Sequence, residues 1–145
     1  MSGLQGAPHG DSYERFRRAT ELLARGDAAE AATLLEWVVW DEPDARSVRE
    51  ALARAYFDCH RNAEAREEFA RLVEDGPDDD YAHYGLGMTL WRLGEFIRAE
   101  EHLGMAAAMS PHRRDYVNAL GQVRATLRAR AAAGLPGDRQ EGESV

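Results

Sequence analysis

The chain has 145 residues, of which 44% are hydrophobic and 30% charged, and its formal net charge is −8 at pH 7. These values favour one globular domain and argue against nucleic-acid binding, which requires basic surface to displace counterions. The single cysteine excludes an intramolecular disulfide, and no stretch is long and apolar enough for a signal peptide or a membrane span. We therefore expect a cytoplasmic protein that binds neither nucleic acid nor membrane. All 18 basic residues are arginine, which we interpret as the codon bias of a GC-rich bacterial genome.

Seven helices are predicted from apolar residues at helical spacing, between a flexible arm (residues 1–11) and a flexible tail (residues 134–145). Asp11 or Ser12 is expected to cap the first helix, and Asp27 with Glu30 to form a capping box on the second. The apolar stripe of the seventh helix is predicted to be Val117, Leu120, Val123 and Leu127. The predicted helices cover residues 13–25, 28–40, 45–59, 63–74 and 81–92, a segment between Gly94 and Ser110, and residues 114–132.

A period of 34 residues relates three helix pairs to one another. Pro43, Pro77 and Pro111 obey it, and the turn inside each pair falls at Gly26, His60 and Gly94. Small and apolar residues at the helix contacts follow the same period: Ala19, Ala53, Gly87 and Gly121; Ala31, Ala65 and Ala99; Leu22, Tyr56 and Leu90; Leu35, Phe69 and Leu103. One hairpin cannot bury such a surface alone, so an internal repeat of stacked hairpins is predicted.

This pattern resembles the tetratricopeptide repeat (TPR) family, whose 34-residue unit reads W-x2-L-G-x2-Y, then A-x3-F, then P. The third repeat shows His83-x2-Leu86-Gly87-x2-Leu90, then Ala99-x3-Leu103, then Pro111. Arg15, Arg49 and His83 replace the leading Trp of the pattern, and Arg18 replaces its Leu in the first repeat. The resemblance implies an all-α, right-handed superhelical solenoid over residues 12–133. Its three hairpins would cover residues 12–45, 46–79 and 80–113, with a capping helix at 114–133.

A second set of side chains on the first helix of each repeat points away from the predicted core. On the third repeat, Tyr81, Tyr84, Met88 and Trp91 form this stripe, because position 88 lies opposite position 86 on a helix. The resemblance implies that these helices line a concave groove, which suits an amphipathic helix or an apolar peptide. Filling by the chain's own arm, its last helix or a second chain is the alternative. The other groove candidates are Tyr13, Phe16, Thr20, Leu23, Glu50, Arg54, Phe57, Asn118 and Gln122.

The carboxylate clamp that holds chaperone C-termini in this family requires Lys and Asn on the first helix, Asn on the third, and Lys and Arg on the fifth. None of the matching positions fits, which excludes a chaperone-tail receptor of that type. The residues at those positions are Phe16, Thr20, Ala51, Tyr84 and Met88.

No catalytic, cofactor or metal site is predicted, because the five histidines are dispersed and no phosphate-binding glycine loop appears. The expected function is a non-enzymatic module that binds a peptide or helix of another protein, as an adaptor, chaperone-like protein or complex-assembly factor. A self-associating scaffold or regulatory subunit, such as a homodimer, is the alternative. Trp37 and Trp40 could support such self-association if exposed, although packing across the repeat junction is the favoured interpretation.

Overall fold

The computed structural model describes residues 10–143, and within that range it contains seven α-helices and no strand. The predicted all-α fold is confirmed, and every predicted helix is present with its ends shifted by two residues at most. Residues 1–9 of the predicted arm lie outside the described range, and Asp11 already belongs to the first helix. The helices are α1 (Asp11–Ala24), α2 (Ala28–Asp41), α3 (Arg46–Asp58), α4 (Asn62–Asp75), α5 (Asp80–Arg92), α6 (Phe96–Met109) and α7 (Arg114–Ala132).

The chain divides into two compact units, Met1–Leu72 and Val73–Val145. Unit 1 contains α1, α2, α3 and most of α4, and in it α2 packs against both α1 and α3. Unit 2 contains α5, α6 and α7, and in it α6 packs against both α5 and α7. Each unit therefore places a second helix of a repeat between two first helices.

The core of unit 1 is built around small residues at the helix contacts. Ala19, Ala31 and Ala53 are completely buried, as the 34-residue register predicts. Small side chains let neighbouring helix axes approach, and larger apolar residues such as Leu35 fill the space beside them. Burying each large apolar side chain contributes about 1.5–3 kcal/mol.

Unit 2 has a glycine, Gly87, at the repeat position that Ala19 and Ala53 occupy in unit 1, and there α5 lies directly against α6. A Cβ atom added to Gly87 on α5 would lie 2.6 Å from the Cγ atom of Leu103 on α6 and 3.2 Å from its backbone nitrogen. No side chain fits there, so glycine is required by the helix contact. Ala99, Leu103 and Ala106 on α6 are completely buried around it.

The turn inside each hairpin has one residue with a left-handed backbone. The φ angles are 87° at Gly26, 65° at His60 and 80° at Gly94, where the period places the turns. At Gly94 the amide donates to the Trp91 carbonyl at 3.0 Å, and the next amide donates to the Leu90 carbonyl at 2.9 Å. This pair of bonds is a Schellman motif, which satisfies the last carbonyls of the first helix and reverses the chain.

Two predicted helix caps are wrong. Gly10 is the N-cap of α1, and the Ser12 hydroxyl instead donates to Asp41 at 3.3 Å. Asp27 is the N-cap of α2 but makes no capping hydrogen bond, and its carboxylate accepts from Arg25 at 3.3 Å. The reason is its ψ of 59°, imposed by the tight turn. Asp79, with an extended ψ of 104°, does cap α5 by accepting from the Ala82 amide at 3.1 Å.

The buried face of α7 matches the predicted stripe in part. Val123 is buried and Leu120 and Leu127 are half-buried, whereas Val117 is 44% exposed and the buried Tyr116 was not predicted. α7 contacts both α6 and α5, and among the described residues no second helix follows it to cover Val117.

Residues 134–143, which the sequence predicts to be a flexible tail, instead fold back onto the α5–α6 hairpin. The Arg139 amide donates to the Gly94 carbonyl at 2.8 Å, and the Asp138 carboxylate accepts from the Ile97 amide in the first turn of α6 at 2.9 Å. Arg130 on α7 holds the segment by donating to Glu143 at 2.6 and 3.0 Å. The sequence prediction misses this segment because its bonds join residues far apart in the chain.

Candidate functional site

The predicted groove residues of α1 in unit 1 are only partly on open surface. Tyr13 and Thr20 are exposed and Phe16 is half-buried, as expected for a surface that could contact a partner. Leu23 is only 7% exposed and belongs to the core.

The α3 face of unit 1 carries the predicted polar centre. Glu50 and Phe57 are half-buried, and Arg54 is exposed. Arg54 pairs with Asp58 one helical turn later, at 3.5 Å. Such an exposed ion pair contributes at most about 1 kcal/mol, so a partner could displace it at little cost.

The α5 face of unit 2 consists of Tyr81, Tyr84, Met88 and Trp91. All four side chains are half-buried, while most other residues of α5 are buried. Two of the four are held by aromatic contacts, since Tyr84 stacks on Tyr116 of α7 at 4.6 Å and Trp91 meets the Phe96 ring edge-on at 5.6 Å. The α5 face is therefore a row of four large side chains, each partly open to solvent, of which Tyr84 and Trp91 are held in place by neighbouring rings.

The α7 residues predicted for the groove supply polar groups. Asn118 and Gln122 are exposed, and each offers an amide donor and an acceptor. Asp115 beside them accepts from the Arg113 guanidinium at 2.9 Å, and this hydrogen bond lowers the pKa of the Asp115 carboxyl. Burial raises the pKa of Tyr84. Near neutral pH this part of unit 2 therefore presents neutral aromatic and amide groups beside a charged pair.

A histidine pair inside unit 2 was not predicted. Nδ1 of His83 lies 3.0 Å from Nδ1 of His102, and Nε2 of His83 lies 2.8 Å from the Pro77 carbonyl oxygen. A carbonyl can only accept, so His83 carries its hydrogen on Nε2 and receives a hydrogen bond from His102. Burial, followed by the neighbouring His83, lowers the pKa of His102.

The 34-residue period contains the signal that would have revealed this pair. Shifted back by one period, positions 83 and 102 become Arg49 and Glu68, which form an ion pair at 2.9 Å in unit 1. The same two repeat positions thus hold a permanently charged pair in one unit and a titratable pair in the other. Both pairs tie a first helix to a second helix, so we assign them a structural role.

The two tryptophans of α2 are exposed. Trp37 is 59% and Trp40 82% exposed, so the favoured prediction that they pack across the repeat junction is wrong. With Thr33 and Glu36 they line a shallow depression of about 420 Å³ on one face of α2. The Arg15 guanidinium lies 5.9 Å from the Trp37 ring.

The described residues contain neither a metal-binding group of side chains nor a helix that could span a membrane. Between residues 10 and 143, no group of three His, Cys, Asp or Glu side chains is arranged to hold a metal ion. The helices in this part of the chain are also too short or too polar to cross a membrane.

Helical hairpins that recur every 34 residues, with small residues at their contacts and Schellman turns between the helices, define a helical-repeat protein. Residues 22–88 match the model of the tetratricopeptide repeat family. The predicted resemblance is confirmed. No curated protein matches the chain by sequence.

Solved structures with the same fold include TPR domains, all at low sequence identity. The Sgt2 TPR domain from Aspergillus fumigatus aligns with a TM-score of 0.79 and 15% identity, covering 96% of this chain and 93% of that one. The first TPR domain of human RPAP3 aligns with a TM-score of 0.75 and 16% identity, covering 84% of this chain and 96% of that one. MamA from Desulfovibrio magneticus RS-1 aligns with a TM-score of 0.78 and 18% identity, covering 85% of this chain and 70% of that one. A further structure is the first TPR of Spaghetti (RPAP3) bound to an HSP90 peptide. It aligns with a TM-score of 0.75 and 16% identity, covering 81% of this chain and 93% of that one.

Proposed function

We propose that the chain is a non-enzymatic protein-interaction module that binds a peptide or an amphipathic helix of another protein on the exposed faces of its first helices. The α5 face carries this proposal. Partly exposed large side chains in fixed positions bind a partner at low entropic cost, because their conformations are already restricted.

The chemistry of the α5 face favours an apolar partner surface. Tyr84 and Met88 occupy positions where a carboxylate clamp would need cations, so an acidic C-terminal peptide of the kind bound by RPAP3 finds no charged partner there. An amphipathic helix with apolar residues three and four apart would match the row from Tyr81 to Trp91. The exposed amides of Asn118 and Gln122 could bond the polar edge of such a helix.

The role that fits these features is that of a cytoplasmic adaptor or complex-assembly factor. The α1 and α3 faces of unit 1 offer a smaller aromatic surface with an exposed ion pair, and we propose that they add contacts to the same class of partner. We assign no catalytic role to the partly buried His83–His102 pair, because it holds α5 to α6.

Affinity capture from the native cell extract with a charge placed in the α5 face tests the proposal. Met88→Arg puts a cation into the apolar row, and we expect it to lose the partners that the wild type captures. Met105→Arg is the matched control, because Met105 is 48% exposed on α6 and lies outside the proposed face. It should capture the same partners as the wild type. If Met88→Arg is folded by circular dichroism and still captures them, the proposal fails.

A further inference from the structure

We propose that the last turn of α2 is a separate docking site for an arginine-bearing segment of a partner protein, in which guanidinium groups stack on Trp37 and Trp40. This site lies on a second helix of unit 1 and shares no residue with the faces described above.

The exposure of the Trp37 and Trp40 indoles favours a binding site on this face of α2. Trp40 and Trp37 are the two most exposed large apolar side chains in the described part of the chain. They are three residues apart on one face of α2, where they line the depression with Thr33 and Glu36. Exposed apolar surface of this kind is typical of interaction sites.

The repeat does not require tryptophan at these positions. The residues one and two periods after Trp37 are Arg71 and Met105. Those after Trp40 are Glu74 and Ala108. Hairpins with the same backbone therefore form without these indoles, and their presence in the first repeat needs another explanation.

The charge around the indoles selects a cationic partner. Between Ala28 and Ala45 the chain has five carboxylates and no basic residue: Glu30, Glu36, Asp41, Glu42 and Asp44. The last turn of α2 contains no basic residue of its own, and the negative end of the helix dipole favours a cation there. Indole rings, carboxylates and helix carbonyls all favour a cation at this place.

The chain itself shows how a guanidinium engages this surface. Arg15 lies over the Trp37 ring at 5.9 Å while its Nη1 atom is 3.4 Å from Asp41. The partners of this ion pair are nearly half exposed. Trp40, which is more exposed than Trp37, offers a second ring in the same depression.

The position of the Glu36 carboxylate is also fixed. Its Oε2 atom accepts a hydrogen bond of 2.6 Å from the Tyr56 hydroxyl and lies 3.4 Å from Arg61. A carboxylate held in place at the edge of the depression can receive an incoming guanidinium without first being ordered.

Arginine fits better than the other candidate occupants. Its planar guanidinium stacks on an indole and bonds a carboxylate with two parallel donors, which the compact ammonium of lysine cannot do. A second copy of the chain would bring two sets of these five carboxylates together, on molecules of net charge −8 each. That repulsion disfavours self-association through this face.

Titration with a short synthetic peptide of alternating arginine and leucine, followed by tryptophan fluorescence and calorimetry, tests the inference. Trp40→Ala should weaken binding about fivefold or more, since one cation–π contact contributes about 1 kcal/mol. The Trp37→Ala, Trp40→Ala double variant should weaken it further. Met105→Ala, at the repeat position equivalent to Trp37, should bind like the wild type.

Two matched peptides and one hydrodynamic measurement give the outcomes that would overturn the inference. The lysine version should bind more weakly than the arginine version, and the glutamine version should not bind. Equal binding of the glutamine peptide would show an apolar site, and unchanged binding by Trp40→Ala would place the peptide elsewhere. Self-association that sedimentation detects in the wild type and that Trp40→Ala abolishes would assign the face to a second copy.

Discussion

The α1–α2 hairpin of unit 1 and the α5–α6 hairpin of unit 2 are built on one pattern and differ in where their tryptophans lie. Both bury a small residue on the first helix and alanine on the second, and both end the first helix with a Schellman turn. In α1–α2 the indoles of Trp37 and Trp40 are exposed on the second helix. In α5–α6 the aromatic row lies on the first helix and is half-buried.

The difference shows which repeat positions specify the fold and which are free for other uses. The contact positions and the turn are under steric constraint, so they keep small residues and a left-handed backbone in every hairpin. Positions on the exposed faces carry no such constraint. They hold a different set of residues in each hairpin, and the binding properties we propose depend on those residues.

The closest helix contact provides the largest expected effect. Gly87→Ala should destabilise the protein by about 1–3 kcal/mol, because the new methyl group would overlap Leu103 on α6. Gly121→Ala is the matched control at the same repeat position in α7, where an added Cβ meets nothing within 4 Å. It should stabilise α7 by about 0.5–1 kcal/mol. Urea unfolding measures both changes, and an equal effect of the two substitutions would contradict the assigned contact.

The segment after α7 gives the α5–α6 hairpin a support that the described part of α1–α2 lacks. Arg130→Ala removes the hydrogen bonds to Glu143 and to the carbonyl oxygens of Pro136 and Asp138. The Ile97 amide, which donates to Asp138, should then exchange faster with solvent, and Tm should fall by a few degrees. Arg128→Ala, on the exposed side of the same helix, should leave both unchanged. Unchanged Ile97 exchange in Arg130→Ala would show that the segment does not protect the turn.

The histidine pair predicts that stability falls in mild acid. His102 has a lowered pKa in the folded state, so below about pH 6.5, the usual histidine value, the unfolded chain binds more protons and unfolding becomes easier. Replacing the pair with its unit 1 equivalent, by His83→Arg with His102→Glu, should reduce the loss of Tm between about pH 7.5 and pH 5. Thermal melts of both proteins measure this. A variant with the same pH profile as the wild type would exclude the pair as the cause.

A second acid transition is expected at lower pH. Hydrogen bonding to Arg130 lowers the pKa of Glu143 from 4.5 to about 2. Its contribution to stability is therefore complete above about pH 4.5 and is lost as pH falls toward 2. This window lies below the one assigned to His102, so the two can be separated in one pH series.

Much of the fold could be predicted from the sequence, because the 34-residue register depends on local sterics. Small residues at helix contacts and a left-handed turn at Gly26, His60 and Gly94 leave few alternatives. The predictions that were wrong depend on longer-range or finer geometry. Asp27 does not cap because the turn sets its ψ angle, and Val117 is exposed because among the described residues no helix follows α7 to cover it.

The candidate site was harder to predict than the fold. Periodicity identified the α5 face as a stripe opposite the core, yet it gave no information on the contacts of Tyr84 with Tyr116 and of Trp91 with Phe96. It also placed Leu23 on an open face, although this side chain is buried. Exposure depends on neighbouring helices, which a single helical stripe does not describe.

The most direct test of the proposed function is to map a captured partner peptide onto the protein by amide chemical shifts. We predict that the largest changes occur at Tyr81, Tyr84, Met88 and Trp91, and that Met88→Arg removes them. Changes confined to Met105 and its neighbours on α6, with α5 unaffected, would contradict the proposed binding face.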